Sequence, residues 1–207
     1  MELSRPLSTV TPTLDGDVLG VLALQEVAFT TGQLHRVLGR FSEEGIRRVL
    51  LRLTKQGVVQ AERVGNAFSY QLNRDHLAAP HIIGLASIQA TLLARIEDRL
   101  ASWEVPAVYA AVFGSAARGQ MTVDSDLDLL LVRPDDSLDD VWEAQVDNLI
   151  IDVTRWIGND TRPFQVTVGE LAERAADEPV LREVLESGLT VAGTLAWLSK
   201  VLRKGEV

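Results

Sequence analysis

Two apolar runs, Val108 to Phe113 and Leu127 to Val132, are separated by a short polar interval, and both edges of that interval carry chemistry. Gly114-Ser115 follows the first run at once. Asp126 and Asp128 open the second. Side chains two apart on a strand project to one face. Both carboxylates therefore lie on the same side, close enough to share a divalent cation. Asp128 is the stronger constraint, because it sits inside Leu127-Asp128-Leu129-Leu130-Leu131. A carboxylate in such a run is costly to bury unless something pairs with it. Two hard oxygen ligands beside a glycine-bearing turn suit the handling of a metal-bound triphosphate.

The flanking pattern predicts an alternation of strands and helices. Val108 to Phe113 and Leu127 to Val132 are strands, with a short helix from Ser115 to Arg118 between them. Val141, Val146, Leu149, Ile150, Val153 and Trp156 mark an amphipathic helix. Phe164 to Val168 is a third strand. Short helices follow near Glu170 to Ala176 and Pro179 to Glu186, and Leu195 to Leu202 makes a last one. Asp135, Asp136, Asp139 and Asp140 suit the positive end of a helix dipole and need no ligand.

Gly114-Ser115 followed by Asp126-x-Asp128 on the next strand resembles the signature of the DNA polymerase β-like nucleotidyltransferase superfamily, over roughly Val105 to Val168. The resemblance implies a nucleoside triphosphate held at Gly114 and Ser115. It implies one or two Mg2+ (or Mn2+) ions on Asp126 and Asp128, which are the catalytic pair. The residues agree with that chemistry. A glycine lets backbone approach a phosphate, Ser115 adds a hydroxyl donor, Arg118 neutralises phosphate charge, and Gly119 turns the chain away. Catalytic members of the superfamily carry a third acidic residue on a later strand, which activates the attacking hydroxyl. Here the polar positions on the outward face of that strand are Gln165 and Thr167, and neither is acidic. Asp152 falls on a helical pattern, and Asp160 lies in the loop before the strand.

The first part of the chain has a different logic. Leu19, Leu22, Leu24 and Val27 predict a first helix. Thr30 followed by Gln33 is a capping-box pattern opening a second, which runs through Leu38. Ser42 caps a third, with Ile46, Val49, Leu50 and Leu53 as its buried stripe and Gly57 at its end. Val58 to Val64 and Ala67 to Leu72 flank Gly65-Asn66, a hairpin signal. This order resembles the winged helix-turn-helix regulators of bacteria. The resemblance implies DNA contacts by Arg47, Arg48 and Arg52 on the third helix and by Arg63 near the wing tip. From Arg36 to Arg63 seven basic residues face three acidic ones. Leu85, Ile88, Leu92, Ile96, Leu100 and Trp103 predict one long connecting helix.

Charge separates the two parts. Residues 1–80 carry nine basic and eight acidic side chains, and residues 81–207 carry eleven and twenty-one. The chain has no cysteine, which excludes disulfides and thiolate metal sites. His35, His76 and His81 lack metal-ligand spacing. Trp103, Trp142, Trp156 and Trp197 fall on apolar helical patterns and are expected in the core. No charge-free run approaches a membrane span, and no signal-peptide pattern opens the chain, so a soluble, cytoplasmic protein is expected.

Together these readings predict an α+β, two-domain chain. A winged helix-turn-helix at residues 14–77 and a connecting helix at 81–104 lead to an α/β nucleotidyltransferase fold with a small mixed sheet at 105–207. Two functions follow. One is a DNA-binding transcriptional regulator whose second domain binds a Mg-nucleoside triphosphate, with turnover open because the third carboxylate is missing. The other is a nucleotidyltransferase moving a nucleoside monophosphate onto a protein, RNA or small-molecule hydroxyl, in a setting that includes toxin–antitoxin systems. The expected partners are DNA, a nucleoside triphosphate, a second copy of the chain or another protein, and no membrane.

Overall fold

Capping residues set the helices of the first part. The computed structural model describes residues 1–136, 139–173 and 178–205. Its contacts divide the chain into two units, one comprising Glu2 and residues 4–89, the other Met1, Leu3 and residues 90–207. The first contains α1 (Leu14–Leu24), β1 (Phe29–Thr30), α2 (Thr31–Leu38), α3 (Glu43–Lys55), β2 (Val59–Val64), β3 (Ala67–Leu72) and α4 (Ala79–Ala86). At the start of α2 the Gln33 N–H donates to Thr30 Oγ1 at 3.3 Å, and the Thr30 N–H donates to Gln33 Oε1 at 2.7 Å. Ser42 Oγ accepts from the Gly45 N–H at 3.1 Å and opens α3. These two reciprocal and single caps satisfy donors that every helix start leaves unpaired.

The three strands form an antiparallel sheet in the order β1-β3-β2. Val18, Leu22, Leu34, Ile46, Leu50, Leu53, Val59, Tyr70 and Leu72 pack beneath it as one core. Two expectations need correction. Val27 lies beyond α1 and is exposed, because the helix ends at Leu24. The long connecting helix is two helices, α4 and α5 (Ile88–Ala101), separated at Ser87. Its apolar spacing runs on across the break, so periodicity alone cannot see it. Serine lends itself to such a break because its side chain competes for backbone hydrogen bonds.

The second unit carries a mixed four-stranded sheet in the order β6-β5-β4-β7. Its elements are β4 (Tyr109–Phe113), α6 (Gly114–Ala117), β5 (Leu127–Arg133), α7 (Asp139–Ile157), β6 (Thr161–Thr167), α8 (Val168–Glu173), α9 (Pro179–Ser187), β7 (Leu189–Ala192) and α10 (Leu195–Gly205). Strand β4 is antiparallel to both β5 and β7, and β5 is parallel to β6. A parallel neighbour requires a long crossover, and α7 supplies it. Strand β6 begins three residues before the predicted Phe164, and the structure adds β7, for which the sequence carries no strand signal. Residues 174–176 of the helix expected near Glu170 to Ala176 lie outside the described residues.

Sheet register sorts the second unit into two faces. Leu130, Val132, Tyr109, Ala111 and Val166 pack with Leu171, Leu181, Val184, Leu198 and Leu202. Helix α7 covers the other face. Trp142, Val146, Leu149 and Val153 are buried, Trp142 Nε1 donates to Gln165 Oε1 at 2.5 Å, and Thr154 Oγ1 donates to Thr161 Oγ1 at 3.1 Å. Of the tryptophans only Trp142 is fully buried; Trp103 packs edge-on against it at 5.1 Å, and Trp197 stacks on Tyr109. Asp139 and Asp140 stand in the first turn of α7 as expected, but Asp135 accepts from the Gly169 N–H of α8 at 2.8 Å. Among the described residues no single helix is long and apolar enough to cross a membrane.

Candidate functional site

Strand pairing brings Gly114 and Asp128 into contact. Phe113, the last residue of β4, is the register partner of Asp128. The next residue is Gly114, with φ +70°. A Cβ added there would overlap Asp128 Oδ2 and lie 3.1 Å from its Cγ. Glycine is thus required twice, once for a left-handed backbone and once because the Asp128 carboxylate occupies the space a side chain would fill. Asp126 stands two residues earlier, just before β5 begins, and its charge acts on Asp128. The pair expected from the sequence is therefore together at the glycine turn.

Burial pushes the Asp128 carboxyl above its usual range, and the Asp126 charge pushes it the same way; Arg162 and Arg118 oppose both. Two like charges held together on a half-buried edge favour proton sharing or a cation. Arg162 supplies part of that cation. Its Nη1 lies 3.0 Å from Asp126 Oδ2.

The remaining predicted residues are distributed less tightly. Ser115 is half-buried in the short α6, and its carbonyl accepts from the Gln120 N–H at 2.8 Å. Gly119 has φ +68° and lets the chain leave the turn. The Arg118 guanidinium is ion-paired with Glu183 of α9, and its Nε donates to Gln120 Oε1 at 3.4 Å. Gln165 and Thr167 do not face the aspartates. Register pairs Asp128 with Arg162 and Leu130 with Phe164, so Gln165 points to the opposite face and meets Trp142. The positions of β6 on the face of Asp128 are Arg162, Phe164 and Val166, and none is acidic. Among the described residues no cluster of three or more acidic, histidine or cysteine side chains could hold a metal ion.

Asn159 is a positioning residue that sequence reading missed. It is 4% exposed, and its Nδ2 lies within 3.1 Å of the carbonyls of Thr122, Val123 and Ser125. It clamps the loop that delivers Asp126. The Leu127 N–H donates to the Asp160 carbonyl at 2.8 Å and continues the β5–β6 ladder past its end. No short motif marks Asn159, because its partners are backbone groups more than thirty residues away.

In the first unit the predicted DNA-contacting arginines are all exposed on or beside α3 and the hairpin. Arg47 Nε and Arg48 Nε both donate to Glu44, at 2.8 and 3.0 Å. Arg52 meets Gln56 Oε1 at 3.1 Å and is ion-paired with Asp15. Arg63 Nε donates to the Gly65 carbonyl at 3.3 Å. The two arginines hold the Glu44 carboxyl down at about 2. His35 Nδ1 lies 2.8 Å from the Phe41 carbonyl, and His76 Nδ1 accepts from the Ala78 N–H at 3.1 Å, so both histidines serve turns.

Comparison with known proteins bears on the second unit. No curated protein matches the chain. Among solved structures it is similar to a toxin–antitoxin complex with AMP-PNP, at 21% identity and TM-score 0.39 over 55% of this chain and 83% of that one. It is also similar to a complex of tri-AMPylated Shewanella oneidensis HEPN toxin with MNT antitoxin, at 17% identity and TM-score 0.39 over 57% and 83%. A third is the MntA–HepT toxin–antitoxin, at 17% identity and TM-score 0.37 over 56% and 83%. The family model described as a nucleotidyltransferase domain matches residues 93–171, a span that contains Gly114, Ser115, Asp126 and Asp128.

Proposed function

We propose that the second unit binds a nucleoside triphosphate with Mg2+, for which Mn2+ can substitute, and transfers the nucleoside monophosphate to an acceptor hydroxyl. One observation carries this reading. The Asp128 carboxylate fills the space left by the absent Gly114 side chain, with the Asp126 charge acting on it from two residues before. The donor set fits the ion, since magnesium takes hard oxygens, keeps several waters and needs few carboxylates. In this reading Asp126 and Asp128 hold the cation, which supplies charge neutralisation at the triphosphate. Gly114, Ser115 and Gly119 form the turn that receives the phosphates, and Arg118 adds positive charge there.

In the transfer, the acceptor oxygen bonds to the α-phosphorus, the bond from that phosphorus to the bridging oxygen breaks, and pyrophosphate leaves. The hydroxyl proton goes to solvent, because β6 offers Arg162 and Phe164 where a carboxylate base would stand. Loss of a general base commonly lowers rate by about two to four orders of magnitude. A slow transferase is the result. The family match favours this reading over a purely regulatory one.

The first unit supports a second activity. Its order of helix, strand, helix, helix and hairpin, with α3 and the hairpin bearing Arg47, Arg48, Arg52 and Arg63, fits a winged helix-turn-helix that contacts DNA phosphates. In that reading the chain joins DNA binding to nucleotidyl transfer.

Calorimetric titration of each nucleoside triphosphate with magnesium, on the full chain and on Asp126→Asn/Asp128→Asn, tests the main proposal. Magnesium-dependent binding that the double variant abolishes is expected. It should be followed by slow magnesium-dependent release of pyrophosphate when an acceptor is supplied. Absence of nucleotide binding by the wild type overturns the proposal.

A further inference from the structure

The β5–β6 ladder places Arg162 beside Asp128. This is the position from which β6 would offer a third oxygen ligand to the same ion. The chain puts a guanidinium there instead, and that guanidinium reaches past Asp128 to Asp126 Oδ2 at 3.0 Å. The Arg162 side chain is 69% exposed and that of Asp126 is 29% exposed. Such a pair adds little to stability, so the fold does not require it. Its electrostatic effect on the site is larger than its effect on the fold. A fixed positive charge within contact distance of one ligand repels an incoming dication and occupies one of its few oxygens. Arg118, the other cation near Asp128, is engaged by Glu183 and leaves Asp126 to Arg162.

We propose that Arg162 is a resident cation of this site that competes with the divalent ion for Asp126, so that the ion binds weakly and enters only as the guanidinium withdraws. This rests on the reading that Asp126 and Asp128 hold the metal. The released guanidinium then stands at the rim of a site holding a triphosphate, where its planar fork suits a phosphate oxygen pair.

The test is a titration of the full chain with Mn2+ alone, free ion being read from its electron paramagnetic resonance signal. Wild type, Arg162→Ala, Arg162→Lys, Arg162→Asp and Asp126→Asn/Asp128→Asn are compared. Removal of the charge is expected to tighten Mn2+ binding about tenfold, its inversion about a hundredfold, while lysine stays within about threefold of wild type. Because Arg162 is exposed, the three Arg162 variants should keep the wild-type circular dichroism spectrum and Tm, which checks that affinity and not folding has changed. If wild type binds Mn2+ and Arg162→Ala binds no more tightly, the competition is overturned while the metal pair stands. If neither wild type nor Arg162→Asp binds more tightly than the double asparagine variant, the metal reading falls and the competition with it.

Discussion

Two arginine–carboxylate arrangements in this chain use the same contact chemistry toward opposite ends. On α3, Glu44 is shared by Arg47 and Arg48, and all three side chains are about half exposed or more. On the second unit's sheet, Arg162 meets Asp126 beside a half-buried Asp128. In the first case one acid serves two bases that solvent already stabilises, and the pair can open at almost no cost. In the second, one base faces two acids, and burial makes the charge of Asp128 expensive. The difference is set by the neighbours. Glu44 has solvent around it, and Asp128 has the Gly114 backbone against it. The pKa directions report the same contrast, with Glu44 held at about 2 and Asp128 pushed above its ordinary range.

The largest effect is expected where backbone and carboxylate meet. Gly114→Ala should cost about 2–4 kcal/mol in urea denaturation, since it combines a strained left-handed residue with a steric clash. Gly39 is the control in the first unit. Its φ is +46°, but a side chain there would meet nothing within 4 Å, so Gly39→Ala should cost about 1 kcal/mol, from backbone strain alone. Equal losses at the two positions would break the comparison.

A smaller and pH-dependent effect is expected from Asp128→Asn. Because the folded-state pKa is raised, ionising Asp128 works against folding. The wild type should therefore lose stability as pH rises from the ordinary carboxylate range through the raised value. The variant should not. Its Tm should exceed that of the wild type above this window and converge with it at lower pH. Thermal melts across the carboxylate range decide the point, and a variant less stable than wild type at neutral pH contradicts it.

The smallest effect on stability belongs to Glu44→Gln, which should leave Tm unchanged at about 0.15 M salt. Its effect should appear in binding. Freed from Glu44, Arg47 and Arg48 should raise affinity for random duplex DNA about threefold and steepen its salt dependence. Unchanged affinity in a filter-binding or anisotropy assay would separate α3 from DNA contact.

What the sequence made legible was local. The Thr30–Gln33 box, the Ser42 cap and the Gly65-Asn66 hairpin are written within a few residues, and each appears where expected. The meeting of Gly114 with Asp128 was legible for the same reason, as punctuation around two apolar runs. What was not legible depends on pairing across distance. Strand β6 opens with Thr161-Arg162-Pro163, a stretch whose polar residues and missing proline N–H hide a strand. Only the register with β5 shows that Arg162, and not Gln165, shares the face of Asp128. Strand β7 is four residues long, too short to carry a periodic signal. Asn159 announces itself by no motif, since three distant carbonyls define its role.

Strand β7 also dictates an order of events during synthesis. It pairs Ala192 with Ala110 and Thr190 with Ala111, so a strand made early waits some eighty residues for its second neighbour. Until then β4 can join β5 through a short connection, but its other edge stays open. An open apolar edge is a template for pairing with another chain. The first unit also waits, for β3 to reach β1 and for α4 to reach α1, but it is complete long before β7 is made. A nascent chain halted before Leu189 would therefore emerge with one finished half and one adhesive half, and crowding on the ribosome would act on the second alone.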